Sequence, residues 1–204
     1  MTSELFAADL RRTIDLLQHE AEAVPVQLPP KYSFSFEAQR QIVKFAGGLN
    51  SLAEQLGEVK TISEILFAAR VNALDSIQRV RVSDDDTTGP QNDYLNETSV
   101  TNNLAVLTPY VVTFRSFTPE LAAVLAGFAA SPNGMIVKAI NVAPSAAAAQ
   151  AGGPGYSGGM PGMPAPPAPP SAPTGKGGNL PTVLKEQLLR ITLEVVIVKP
   201  LPKK

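Results

Sequence analysis

Leu107-Thr-Pro-Tyr-Val-Val-Thr-Phe-Arg-Ser-Phe117 runs into Thr118-Pro-Glu-Leu-Ala-Ala-Val-Leu-Ala-Gly-Phe128 and then, past two alanines, into Ser131-Pro-Asn-Gly-Met-Ile-Val-Lys-Ala-Ile-Asn-Val142. The fold turns on this stretch, which reads strand, helix, turn, strand. Tyr110, Val112 and Phe114 alternate with Val111, Thr113 and Arg115, the period of a half-buried strand. Thr118 suits a helix N-cap, Pro119 suits the first helical position, and Glu120 favours the positive helix end. Leu121, Val124, Leu125 and Phe128 fall at i, i+3, i+4 and i+7, which makes one helix stripe apolar. Ser131-Pro-Asn-Gly134 stops the helix, and Met135–Val142 is strand-like again. None of these side chains is reactive, so the unit is a scaffold.

Upstream, Ser3–Ala23 reads as a helix with Phe6, Leu10, Ile14 and Leu17 on one face. Val24–Leu28 is expected to be an edge strand because of Pro25, and Tyr32–Phe36 alternates like a second short strand or a continuation. Ala38–Val71 reads as one long helix with a seam at Ile42, Phe45, Leu49, Leu52, Leu56 and Val59. The spacing predicts that the seam packs on the chain's own sheet, with a bend or break near Gly57. Ser76–Ser83 is the next strand, with Val80 and Val82 on one face, Arg79 and Arg81 on the other, and a bulge near Gln78. Asp84–Asn103 is a polar connection. Downstream, Leu189, Ile191, Leu193, Val195 and Ile197 alternate with Arg190, Thr192 and Glu194. This strand is expected to pair antiparallel with Met135–Val142.

Between those two strands, residues 143–179 hold nine of the 19 prolines and nine of the 15 glycines. That composition cannot bury enough apolar surface to offset its ordering entropy, so a disordered Ala/Pro/Gly-rich loop is expected. The organisation is then an N-terminal helix (1–23), an α+β core (24–142), the loop (143–179) and a closing strand (180–204). Net charge is −1 with scattered lysines and arginines, which argues against a nucleic-acid surface. With no cysteine, disulfides and thiolate metal sites are ruled out. No apolar run of about 18 residues is present to span a bilayer.

Candidate chemistry is sparse. His19 is the single histidine and lacks the partnered nucleophile and orienting acid of a triad, so it reads as a solvent-facing helix residue. Asp84-Asp85-Asp86 lacks calcium-loop spacing and reads as a solvated acidic loop. Thr174-Gly-Lys-Gly-Gly178 lacks the strand, the helix and the full motif of a phosphate loop. Tyr156, Met160 and Met163 read as linker. No catalytic residue, cofactor or metal is expected.

Without the first helix and the last strand, the element order reads βαββαβ, a ferredoxin-like α+β core with an added N-terminal helix and a C-terminal antiparallel strand. Three stretches carry a closer likeness: Val71-Asn-Ala-Leu-Asp-Ser-Ile-Gln-Arg-Val-Arg-Val-Ser83, Pro109-Tyr-Val-Val-Thr-Phe-Arg-Ser-Phe-Thr-Pro-Glu-Leu121 and Leu184-Lys-Glu-Gln-Leu-Leu-Arg-Ile-Thr-Leu-Glu-Val-Val196. With the Pro/Ala insertion they resemble the pilus-like protein family of Verrucomicrobia, best known from an Akkermansia pilus gene cluster. That family in turn is similar to PilO, the periplasmic assembly-platform protein of type IV pili. The resemblance implies a non-enzymatic structural protein of a pilus-like or type II secretion-like envelope machine. It implies no cofactor, and pairing with itself or a PilN-like partner. It also implies a transmembrane helix upstream of the globular part, absent from this chain, and a place at the periplasmic face of the inner membrane. The alternative is a surface or secreted ligand that contacts a host receptor or glycan. Phe6, Leu10, Ile14 and Leu17 are the residues expected to face a partner.

Overall fold

A computed structural model describes residues 1–145 and 186–201. The elements are α1 (Ser3–Ala23), a single turn α2 (Glu37–Arg40), α3 (Leu49–Ala68), β1 (Ala73–Arg79), β2 (Val100–Thr101), β3 (Ala105–Ser116), α4 (Thr118–Ala130), β4 (Met135–Pro144) and β5 (Leu189–Pro200). The strands form one antiparallel sheet ordered β1-β3-β5-β4, with β2 paired to one end of β3. One apolar core joins α1, α3 and α4 to a single face of the sheet, through Tyr110, Val112 and Phe114 of β3 and Ile191, Leu193, Val195 and Ile197 of β5. The architecture is therefore α+β, and the alternation read from β3 and β5 is the burial alternation observed. Pairing of β4 with β5 is antiparallel as expected, from Met135 opposite Ile197 to Pro144 opposite Leu189.

The expected βαββαβ order is corrected at its first strand. Val24–Leu28 makes one isolated bridge, Gln27 to Ala73, because Pro25, Pro29 and Pro30 lack the N–H groups that a ladder needs. Tyr32–Phe36 is a turn with Phe34 and Ser35 at positive φ. It is held by the Phe36 N–H on the Ser33 carbonyl at 2.9 Å. The central place beside β3 is filled instead by β5, the last strand, so with the two-residue β2 set aside the helix-and-sheet unit reads αββαββ from α3 onward.

The long helix is also corrected. It is interrupted between Arg40 and Leu49, resuming after Gly47-Gly48, rather than at Gly57. Gly48 is left-handed at φ +72°, and a β-carbon there would lie 2.5 Å from the Val82 carbonyl oxygen. Gly57 stays helical between buried Leu56 and Val59, with open space where a side chain would sit. The seam packs within the fold as expected: Leu52, Leu56 and Val59 are buried, while Ile42 and Phe45 precede the helix in a half-buried loop. Further shifts are small. β1 ends at Arg79, its irregularity falls at Asp75 rather than Gln78, β4 runs on through Pro144, and the α4 N-cap is Phe117 rather than Thr118. Residues 146–179 of the expected loop, with Tyr156, Met160, Met163 and the Thr174–Gly178 motif, lie outside the described residues.

A third correction concerns polarity. Asp86 reads as part of a solvated loop, and Arg79 lies on the strand face opposite Val80 and Val82, yet both are fully buried. Arg79 lies opposite Tyr110, on the core face, and its Nη2 meets Asp86 Oδ1 at 2.6 Å. Gln55 of α3 accepts from Arg79 Nη1 at 2.8 Å, and the Ser35 carbonyl accepts from Nε at 3.0 Å. Asp86 also accepts from Gln39 Nε2 at 2.6 Å and from the Val82 and Ser83 amides at 2.8 and 3.0 Å. The rings of Phe36 and Tyr94 flank the guanidinium at 4.5 and 5.0 Å. A buried ion pair survives only when its lone pairs and protons are satisfied this fully, and removing one partner strands the other charge. Asp86→Ala is therefore expected to destabilise the fold by about 3–5 kcal/mol. Urea unfolding checks this, and a loss under about 1 kcal/mol would refute the anchoring role.

Candidate interaction surface

Phe6, Leu10, Ile14 and Leu17 are brought together by α1, and all four are buried in the chain's own core. This corrects the expectation that they face a partner. The stripe packs inward because α1 lies beside α3 over the sheet, and its exposed large residues are Leu5 and Leu16. His19 is exposed, as read from the sequence.

The two long edges of the sheet differ. The β1 edge is sealed by the chain itself. At one end the Leu74 amide donates to the Gln27 carbonyl at 2.9 Å. In the middle the Ile77 amide donates to Tyr32 Oη at 2.7 Å, and the Ser35 hydroxyl donates to the Ile77 carbonyl. At the other end the Leu95 amide donates to the Arg79 carbonyl at 2.9 Å, beside the bridge from Arg79 to Tyr94. The turn that misread as a strand is thus the cover of an edge, one of the ways proteins blunt an exposed ladder.

The β4 edge carries no such cover among the described residues. β4 is ten residues long and pairs on one side only. Its register with β5 shifts around Lys138 and ends at Pro144. Between these lies Ala139-Ile140-Asn141-Val142-Ala143, which has no charge. Ile140 lies opposite Leu193 and Val142 opposite Ile191, so both belong to the helix-covered face. They are nonetheless 47% and 46% exposed, because the helix layer stops short of them. Sequence reading placed β4 correctly but could not show that it would be an edge.

One cleft gathers ionisable groups. It measures about 590 Å³ and lies between α3, the Pro132–Gly134 turn and the end of β5. Tyr110 Oη donates to Glu58 Oε2 at 2.5 Å, and Lys199 Nζ lies 3.0 Å from Glu58 and 3.1 Å from Glu54. Burial, then the Glu58 carboxylate, hold the Tyr110 phenol well above its ordinary value. Desolvation lowers Lys199, but hydrogen bonds and charge from Glu58 and Glu54 outweigh it, so the ammonium is held protonated. The groups satisfy one another and tie α3 to β3 and β5. A proton-transfer role needs a group poised to change state near the working pH, and Tyr110 and Lys199 are both held protonated far above neutrality.

No family model matches the chain, and no curated protein matches it. Solved structures do. A crystal structure of a core domain from Akkermansia muciniphila superposes with a TM-score of 0.62 at 9% identity, covering 99% of this chain and 90% of that one. A structure without its transmembrane region, from the same organism, gives 0.63 at 10% identity, with 100% and 88% covered. At such identity these likenesses show a shared fold. The type 4 fimbrial biogenesis protein PilO from Pseudomonas aeruginosa aligns over 85% of this chain and 100% of its own, at 11% identity, with a TM-score of only 0.39. Among the described residues no helix is long and apolar enough to cross a membrane.

The sealed edge has a pH signature. Burial pushes the Tyr32 phenol above its ordinary value, as it does Tyr110. Unfolding returns both to about pH 10, so the folded chain holds protons that the unfolded chain releases. Their contribution is full below about pH 10 and is lost as the pH rises beyond it. In an alkaline titration the phenolate absorbance of these two residues is expected to appear together with loss of far-ultraviolet ellipticity. Ionisation of both at the ordinary pH in a folded chain would refute their burial.

Proposed function

We propose that the chain is a non-enzymatic assembly protein of a type IV pilus-like or type II secretion-like envelope machine, acting by protein–protein association through the β4 edge. The observation that carries the reading is the asymmetry of the sheet: β1 is closed by Gln27, Tyr32, Ser35 and Leu95, whereas β4 is uncovered among the described residues and uncharged over Ala139–Ala143. Strand addition to an open edge combines main-chain hydrogen bonds with side-chain contacts at alternate positions. The partner is a second copy or a PilN-like protein, and the compartment is the periplasmic face of the inner membrane. Support for the pilus setting comes from the fold shared with the Akkermansia structures, one of which lacks a transmembrane region that its full protein has, and from the sequence resemblance. The non-enzymatic reading draws on the cleft at Glu58, where Tyr110 and Lys199 stay protonated. The alternative of a surface ligand for a host receptor or glycan has no separate observation behind it.

The test is association in the envelope. Ile140 and Val142 are already half exposed, so Ile140→Asp with Val142→Asp is expected to leave the fold intact by circular dichroism. The same pair is expected to weaken cross-linked recovery of the chain with its envelope partners by at least about tenfold. Undiminished recovery in a folded variant would refute the role of this edge.

A further inference from the structure

We infer that the helix-free face of the sheet carries a second docking site, an apolar groove that takes a short aliphatic helix of a partner protein, laid across the strands with its N-terminus at Glu97 and its C-terminus at Lys138. The site does not depend on the β4 edge, since it uses a face of the sheet rather than a rim.

The register across four strands builds the groove. Val100 lies opposite Leu107, and Leu107 opposite Val198. In the next row Pro109 lies opposite Val196, and Val196 opposite Ile136. Directly opposed residues share a face. Alternation puts these six on the face away from Tyr110, Val195 and Ile197, which belong to the core. They line a cavity of about 270 Å³, walled by Glu97 and Thr98 on the β2 side and by Lys138 on β4. Val100 and Ile136 are 58% and 54% exposed. The far end of the same face is polar and self-satisfied: Thr113 meets Thr192 at 3.2 Å, and Arg115 meets Asp75 at 3.0 Å. Water suits that end, whereas the groove holds a contiguous aliphatic patch, the mark of a surface that something else covers.

The lining selects the kind of occupant. It contains no aromatic ring on which a sugar or a base could stack. The main chain under the groove is already paired within the sheet, so an occupant finds no backbone partner there. It must satisfy its own N–H and C=O groups, as a helix does. The chain covers the opposite face in the same way, with α1, α3 and α4. From β2 to β4 the groove crosses three strand spacings, about 14 Å, the length of about nine helical residues.

Charge sets the direction. A helix leaves N–H groups unsatisfied at its N-terminus and carbonyls at its C-terminus, with partial charges to match. Glu97 and Thr98 offer acceptors at one wall, and Lys138 offers donors at the other. Neither Glu97 nor Lys138 is in an ion pair among the described residues. A bilayer pressed onto this face would instead desolvate the Glu97 carboxylate with nothing to pair it.

The probe is a capped, neutral peptide of about 18 Leu, Ala and Gln residues, long enough to be helical, with leucines at i, i+3, i+4 and i+7. It is expected to bind the full chain by fluorescence anisotropy. Val100→Asp with Ile136→Asp, both at exposed positions, is expected to weaken binding at least about tenfold with circular dichroism unchanged. Ile140→Asp with Val142→Asp, on the edge, is expected to leave it unchanged, so the groove and the edge can fail separately. Direction is read by cross-linking, because the chain has no cysteine. A cysteine at the N-terminal end of the peptide is expected to form a disulfide faster with Thr98→Cys than with Ile136→Cys. Exchanging the charges, by Glu97→Lys with Lys138→Glu, is expected to reverse that order. A peptide that does not bind overturns the site, as does binding indifferent to Val100→Asp with Ile136→Asp. A cross-linking order that ignores the exchanged charges overturns the direction. Binding to phosphatidylcholine vesicles that is lost with Val100→Asp and Ile136→Asp assigns the face to lipid and overturns the helix.

Discussion

The closing strand β5 is the constraint on which the structure depends. It pairs along its whole length with β3, from Ala105 opposite Pro200 to Ser116 opposite Leu189, and on its other side with β4. Until it arrives, β4 has no partner in the sheet and half the core face is missing, since Ile191, Leu193, Val195 and Ile197 come from it. Residues from the middle of the chain and its last strand must therefore meet before the core closes. Such non-local pairing is slow to form, because loop closure precedes its reward. The same arrangement sets the surface: placing β5 inside the sheet pushes β4 to the rim.

The opposite rim is held by a different interaction. Arg79 and Asp86 form a buried pair that collects Gln39 from α2, Gln55 from α3 and the Ser35 carbonyl from the turn before α2. That turn also covers the β1 edge through Tyr32 and Ser35. One polar node thus fixes both the entry to α3 and the closure of an edge. The two rims answer the hazard of unpaired strands differently. One is shielded by segments distant in sequence, while the other, among the described residues, is bracketed by Lys138 and Pro144 and uncharged between them.

Much of this was legible residue by residue. The bounds of α1 follow from its period, and the alternation in β3 and β5 names the buried residues correctly. The β4–β5 pairing was readable because two alternating strands flank a tract too poor in apolar residues to pack. The misreadings share a cause. Tyr32–Phe36 alternates in type, but Phe34 and Ser35 sit at positive φ, so periodicity without backbone geometry mistook a turn for a strand. Gly57 carries the helix-interior penalty of Gly48, yet the helix runs through Gly57 and starts only after Gly48, where the Val82 carbonyl leaves no room for a side chain. The burial of Arg79 was not legible, because no local signal reveals a carboxylate seven residues on that folds back onto it.

The candidate surface was less legible than the fold. Ile140 and Val142 fell in a stretch read only as strand-like, and Phe6, Leu10, Ile14 and Leu17 read as a partner-facing stripe. The structure buries those four and leaves Ile140 and Val142 half exposed, because burial depends on which elements cover which, and helix coverage is a property of the assembled layers. From the sequence alone came the element types, the apolar faces and the absence of any cysteine chemistry, since these rest on short-range periodicity and composition. Strand order, the buried ion pair and the difference between a sealed and an open edge were decided only in three dimensions. Each depends on contacts between residues far apart in the chain, and local pattern carries no record of which distant partner wins.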